Sequence, residues 1–314
     1  MSNKINESEL LFRKVKLKEQ LEFYQKAMSS VDDFATSSLG FSWDSFKRVL
    51  RINRLTFGLL GKIFMKNVED FVILYNGVIV AGYTVIRSEE RYELGNVFTI
   101  PEYQGKGIAS ILLSKVLKDY KDKPIRLDVN TKNEVAIHIY TKNDFKEINR
   151  TKEYIEKIPL KSQPFTKNYS ARLFEIEDIN KVNHMIEEIP KINEIAKSYK
   201  KSLKKSKKNP KRMETIVPYV LLNNEKIVGF GRAIWSKMTP NTASIFASAM
   251  LQEALDDYAP FLSFISKELI EYDIEKIVWN LTERTKPYEK YIKSYFGEPV
   301  RESIIMEKAA QKKE

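Results

Sequence analysis

The stretch Asn96-Val-Phe-Thr-Ile-Pro-Glu-Tyr-Gln-Gly-Lys-Gly-Ile-Ala-Ser110 decides how this chain is read. A strand over Glu93–Thr99 is ended by Pro101, which has no N–H to give a ladder. From Ile108 to Tyr120 the apolar residues Ile108, Ile111, Leu112, Val116 and Leu117 recur at helical spacing on one side. Between strand and helix lies a turn, Gln104-Gly105-Lys106-Gly107, leading into Ile108-Ala109-Ser110. The first amides of a helix have no internal partner, and the helix dipole is positive there. A pyrophosphate uses both features. A Cβ at Gly105 or Gly107 would hold the backbone away from phosphate oxygens and would resist positive φ. Lys106 adds diffuse positive charge. A plain strand–turn–helix corner is the alternative reading of the same residues.

Upstream, Leu10–Lys16 reads as an opening strand, and Lys18–Met28 and Trp43–Leu60 as helices. Phe71–Tyr75 and Val78–Ile86 flank Asn76-Gly77, the strongest short hairpin signal. Downstream come a strand over Ile125–Val129, a helix over Glu134–Lys142, and two closing strands, Phe145–Asn149 and Lys152–Ile158. A hairpin meander joined to one crossover helix predicts the α+β class, a mixed central sheet flanked by helices.

Beyond the Pro-flanked stretch Pro159–Pro164 the pattern restarts. Tyr219–Leu222, a turn at Asn223-Asn224, and Lys226–Trp235 repeat the hairpin, with Lys226-Ile227-Val228-Gly229-Phe230 set against Ile79-Val80-Ala81-Gly82-Tyr83. Later, Ile277–Leu281, a helix through Tyr291, and Phe296 repeat Ile125–Val129, the helix through Tyr140, and Phe145. This reads as an internal duplication, with two unrelated domains of similar strand composition as the alternative. It predicts two tandem domains, residues 1–160 and 161–314, with a basic loop at 197–212.

Composition bounds the chemistry. There are no cysteines, which excludes thiolate catalysis and cysteine zinc sites, and the two histidines, His138 and His184, cannot make a metal centre. Both read as surface helix residues, and no metal is expected. The net charge of +11 is concentrated in Lys197–Arg212, which carries nine basic residues and no acid, so the remainder is almost neutral. A solvated, mobile loop is the simple reading of that run; an anion- or RNA-attracting segment is the other. No apolar stretch is long enough to cross a bilayer, so a soluble cytoplasmic protein is expected.

The segment Gln104-Gly105-Lys106-Gly107-Ile108-Ala109, preceded by Pro-Glu-Tyr, resembles the cofactor signature Gln/Arg-x-x-Gly-x-Gly/Ala of the GNAT acetyltransferase superfamily. The downstream pattern of Asn133, Ala136, Tyr140 and Phe145 is similar to that family too; its usual Gly before the Phe is Asp144 here. The resemblance covers roughly residues 10–158. It implies acetyl-CoA as acyl donor, held by Gln104–Ser110. It also implies that the strand ending at Phe98 and Thr99 splays from its neighbour so that its backbone pairs with the pantetheine arm, which Asn133 also reaches. It implies that Tyr140 protonates the departing thiolate and that a backbone N–H near Thr99 is the oxyanion donor. The acceptor would be a small-molecule or peptide amine. Glu93, eleven residues before Gln104, stands where histone-type members carry a base; a solvated strand-end glutamate is the other reading. Six residues separate Glu93 from Thr99, which predicts one sheet face for both. In the second copy the matching stretch, Ala247–Pro260, has no glycine and carries Glu253, Asp256 and Asp257, which would repel a pyrophosphate. That copy reads as degenerate, with Tyr291 a structural relic. A non-catalytic acyl-CoA sensor, or an RNA-binding protein using the lysine run, is the competing class of function.

Overall fold

The computed structural model describes the chain except residues 1–3, 31–46, 48–49, 52, 56–66, 162–163, 209–213, 237–238, 283–284, 294 and 312–314; of 205–208 and 240 it describes the backbone only. Two compact units divide it. The first takes the described residues up to 150 together with 302–311, and the second takes 151–301. The division expected at 160/161 thus lies at 150/151, and the C-terminal residues belong to the first unit.

In the first unit, β1 (Leu10–Lys14) and α1 (Gln20–Ser29) precede β2 (Val68–Tyr75), β3 (Val78–Arg87) and β4 (Tyr92–Thr99). Then follow α2 (Ile108–Asp119), β5 (Ile125–Asn130) and α3 (Glu134–Lys142). The helix expected over Trp43–Leu60 lies largely outside the described residues. Asn76 and Gly77 take φ of 50° and 80°, the left-handed pair that a two-residue hairpin turn requires. The last strand of the chain, β12 (Arg301–Lys308), completes this sheet against β5. Its order is β1-β2-β3-β4-β5-β12, antiparallel except for the β4/β5 pair, which α2 connects as a crossover.

In the second unit the order β7-β8-β9-β10-β11-β6 repeats that plan. Here β6 is Lys146–Lys157, β7 Tyr169–Leu173, β8 Glu214–Asn223, β9 Lys226–Ser236, β10 Thr239–Met250 and β11 Lys276–Leu281. Its helices are α4 (Ile192–Lys208), α5 (Tyr258–Glu268) and the short α6 (Glu289–Ile292). The two closing strands expected over 145–158 are one strand, β6, because nothing between Asn149 and Lys152 breaks the extended backbone. Residues 152–157 of β6 pair with β11, not with β5. Each unit therefore takes its sixth strand from the segment that follows the other copy.

The registers place the duplication. Tyr75 pairs with Val78 across the first hairpin and Asn223 with Lys226 across the second, an offset of 148. The positive-φ turn residues are Asn224 and Glu225, not Asn223 and Asn224. Gly82 therefore matches Phe230, and Gly229 matches Ala81, one residue from the sequence alignment, and in a strand one residue is a change of face. The packing shows why both solutions work. A Cβ on Gly82 would meet Phe23 of α1 at 2.7 Å, and one on Gly231 would meet Ile265 of α5 at 2.7 Å. One copy leaves room under its first helix, the other under its crossover helix. A further repeat escapes a sequence scan: Arg13 forks onto Glu19, and Arg172 onto Asp178, each acid six residues later.

The lysine run is helical over its described residues, 197–208. Its described part belongs to α4, whose Ile192, Ala196 and Tyr199 are buried while Lys201 and Lys204 are exposed. Ahead of α4 the chain makes two 3-10 turns, Ile176–Lys181 and Asn183–Met185. No described helix is long and apolar enough to cross a membrane.

Candidate active site

The turn after β4 has the geometry that its glycines suggest. Gly105 and Gly107 have φ of 73° and 87°, where side-chain-bearing residues are strained, and a Cβ at either would meet nothing within 4 Å. The space in front of the turn is open, so backbone conformation, not crowding, demands glycine. Gly107 caps α2 with no side chain, and the first internal bond is Ile111 N–H to the Gly107 carbonyl at 3.2 Å. The amides of Ile108, Ala109 and Ser110 precede it and have no helical acceptor. Gln104 Nε2 donates to the Thr99 carbonyl at 3.0 Å, tying the turn to the strand. Lys106 Nζ stands 4.6 Å from the Tyr103 ring centroid, and Ile5 N–H donates to the Lys106 carbonyl at 3.2 Å.

β4 and β5 separate as they approach this turn. They pair only at Tyr92, Glu93 and Leu94 with Ile125, Arg126 and Leu127; from Gly95 to Thr99, β4 keeps β3 and has no β5 partner. Ile100 N–H donates to Val80, so by ladder alternation the Thr99 amide faces the open side. Phe98 is buried and Thr99 half-buried. The open edge offers backbone groups to an extended ligand.

A bulge separates two residues that the sequence placed on one face. Three β4 steps, Gly95 to Phe98, stand against two β3 steps, Thr84 to Gly82, and Asn96 has φ of 47°. The extra residue inverts the alternation. Glu93, opposite Ile86, lies on the face of Phe98 and α1; Thr99, opposite Ala81, lies on the α2 face. The Glu93 carboxylate accepts from Arg91 Nε. At about 3.3 Å per residue it stands about 20 Å along the strand from Thr99.

Asn133 caps α3, its side-chain oxygen accepting from Ala136 N–H at 3.0 Å, which leaves its amide NH2 free to donate. Tyr140 is buried beside Phe145, with ring centroids 5.6 Å apart, and shares a core cluster with Ile108 and Val129. Burial pushes its hydroxyl up to about 12. Asp144 replaces the family's glycine at a left-handed φ of 65°, and Lys308 holds its carboxylate at 3.1 Å. A short polar residue tolerates that conformation.

A third carboxylate escaped sequence reasoning. Asp70 on β2 accepts from Thr84 Oγ1 at 2.7 Å and from Tyr24 of α1 at 2.9 Å, and Asn96 Nδ2 donates to Thr84 Oγ1 at 3.0 Å. Burial raises its carboxyl above the ordinary range, with the two hydroxyl donors opposing. The chain of bonds ends at the bulge residue itself. Read in sequence, Asp70 is one acid beside another, Glu69; only the β2/β3 register, pairing Asp70 with Thr84, turns it inward.

The second unit keeps the splay and loses the turn. β10 pairs with β11 only at Thr242–Ser244 and bulges between Ala247 and Ala249. At the start of α5, Asp257 is fully buried, and its carboxylate accepts from the N–H and hydroxyl of Thr166, both at 2.6 Å. Lys167 and Tyr169 donate to the Glu253 carbonyl. A carboxylate and a chain segment stand here, next to the helix start that the first unit leaves open. Tyr291 is half-buried with Lys290 Nζ 4.5 Å from its ring. His138 is exposed, and His184 bonds the Ile227 carbonyl at 2.8 Å. Among the described residues no cluster of three or more acids or histidines could hold a metal.

The sequence profile of the acetyltransferase (GNAT) family matches residues 44–145. Proteins of Mycobacterium tuberculosis and Mycobacterium bovis, each described as an uncharacterized N-acetyltransferase, are 37% identical over 84 residues, 26% of this chain. The chain spans about half (53%) of the length of these curated relatives. Among solved structures, a tandem GNAT protein from the clavulanic acid biosynthesis pathway is similar with a TM-score of 0.65 at 12% identity, covering 98% of this chain and 100% of that one. A GCN5-related N-acetyltransferase of Sphaerobacter thermophilus gives 0.62 at 12% identity, covering 98% of each chain. At such identities the likeness is one of fold. Residues 44–145, which carry the open glycine turn, thus match the GNAT family, and the chain as a whole shares the fold of paired GNAT copies.

Proposed function

We propose that the first unit transfers an acetyl group from acetyl-CoA to an amine of a small molecule or peptide, and that the second unit is a degenerate copy. The observation that carries this reading is the coincidence of two open features at one end of β4: the uncapped glycine turn and the unpaired edge from Gly95 to Thr99. The amides of Ile108, Ala109 and Ser110 hold the pyrophosphate, with Gln104, Gly105, Lys106 and Gly107 shaping the turn. Phe98, Thr99 and the Asn133 amide line the path of the pantetheine arm.

Transfer forms a C–N bond and breaks the thioester C–S bond. The amine gives up a proton, and the thiolate gains one. The Thr99 amide donates to the oxyanion. Tyr140 keeps its proton at Oη through neutral pH, because burial disfavours the phenolate, and gives it to the departing sulfur. Two carboxylates lie on the α1 face. Glu93 is engaged by Arg91, whereas burial raises the proton affinity of Asp70 above that of an ordinary carboxylate, the direction that favours a base. We assign the amine proton to Asp70, with Glu93 as the alternative that a Glu93→Gln variant tests. Screening an amine panel for thiol release from acetyl-CoA tests the function; acetyl-CoA binding without release from any amine would favour the sensor reading.

A further inference from the structure

The cross-strand pair that holds the Asp70 carboxylate in the first unit holds a cation in the second, on the opposite strand. With the offset of 148, Asp70 and Thr84, paired across β2/β3, become Pro218 and Arg232, paired across β8/β9. Arg232 also pairs with Phe246 of β10, and its guanidinium carbon stands 4.3 Å from that ring's centroid. No carboxylate among the described residues pairs with it, and its Nε is buried without an acceptor. A desolvated guanidinium N–H without a partner is uncommon, since an unmade bond to a charged group is costly.

The surroundings are those of a site and not of a sealed core. Tyr199 Oη and Ser248 Oγ are 2.5 Å apart, and Ser248 is the extra residue of the β10 bulge. Burial pushes the Tyr199 hydroxyl up to about 12, with Ser248 and the Arg232 charge opposing, so the guanidinium and the hydroxyl share one neighbourhood. Arg232 and Phe246 are half-buried, which leaves a way in from solvent. From Ile245 onward β10 has no β11 partner, so this edge is open as in the first unit.

We propose that the second unit binds a small carboxylate at Arg232, the ligand's two oxygens meeting the planar fork while its apolar part lies along the open β10 edge. A planar fork favours a carboxylate's paired oxygens. A nucleotide pyrophosphate does not fit, because Asp257 and Thr166 stand at the helix start beside this edge. The unit has thus exchanged recognition of one charge for the other on the same frame.

The test is NMR of arginine Nε–H groups in the full chain, with glutarate and inorganic phosphate as probes at matched ionic strength. Arg232→Lys keeps the charge, removes the fork and assigns the resonance. A saturable shift of the Arg232 resonance with glutarate is expected, with at least about tenfold weaker binding to Arg232→Lys by calorimetry. No saturable shift, equal binding of phosphate, or unchanged affinity in a folded Arg232→Lys variant would each overturn the proposal. None of these readouts depends on acetyl transfer.

Discussion

Replacing Gly107 by Trp separates the two demands that this position meets. The backbone demand is φ of 87°, and a left-handed conformation costs a side-chain-bearing residue about 1–2 kcal/mol. For a unit of this size, that lowers Tm by about 2–8 °C and leaves the unit folded. The ligand demand is larger. A Cβ here meets nothing within 4 Å, so an indole projects into the open space before the turn, where it excludes the pyrophosphate from the amides of Ile108, Ala109 and Ser110. Three charge-assisted bonds at about 1.5 kcal/mol each give a loss of about 4.5 kcal/mol, about three powers of ten in affinity. Gly107→Ala carries the same backbone cost with little bulk, so it should reproduce the Tm shift and lose far less binding. Calorimetry with acetyl-CoA, beside thermal melts of both variants, reads the two effects separately. A folded Gly107→Trp protein that binds acetyl-CoA as tightly as the parent would refute the site.

Tyr140→Phe should lower kcat by about 10²-fold with little change in acetyl-CoA affinity; equal loss in both would mark it as packing alone. In Asp70→Asn, kcat should fall by about 10²-fold, and the acidic limb of the kcat/KM profile, placed above the ordinary carboxylate range by burial, should disappear. The sign for stability follows. Folded Asp70 holds its proton more tightly than unfolded Asp70, so its contribution is full below the unfolded value and is lost as pH rises through the folded one, a slope that Asn removes. Titration should saturate at one acetyl-CoA per chain; two would show that the second unit's Asp257 and Thr166 do not close its site. Arg172→Met strands fully buried Asp178 and should cost about 3–5 kcal/mol by denaturant melts. Burial pushes Asp178 up, but the bonds from Arg172 and the Glu175 N–H outweigh it and hold the carboxyl low. The parent's added stability is therefore present above the unfolded pKa and lost as pH falls through the lowered one.

What the sequence by itself determined is what neighbours along the chain enforce. Asn76-Gly77 specifies a hairpin because both residues accept positive φ, and Gly105 and Gly107 specify the turn for the same reason. Pro101 ends a strand wherever it stands. The period of Ile108, Leu112 and Val116 gives a helix with one buried side. The absence of such a turn in the second copy was equally plain, though that its Asp257 would be buried against Thr166 was not. The tertiary structure decided whatever depends on register and on partners distant in sequence. No local signal tells β6 to pair with β11 instead of β5, since both pairings satisfy the same backbone groups. The bulge at Asn96 comes from pairing with β3, and by adding one residue it moved Glu93 and Thr99 to opposite faces. Asp70 became a candidate base only when β2, β3 and α1 closed around it, because burial, not residue type, raises a carboxyl. The lysine run looked like a loop because its charge masks Tyr199, which continues the buried side begun by Ile192 and Ala196 ahead of the run, a burial that needs the sheet beneath them.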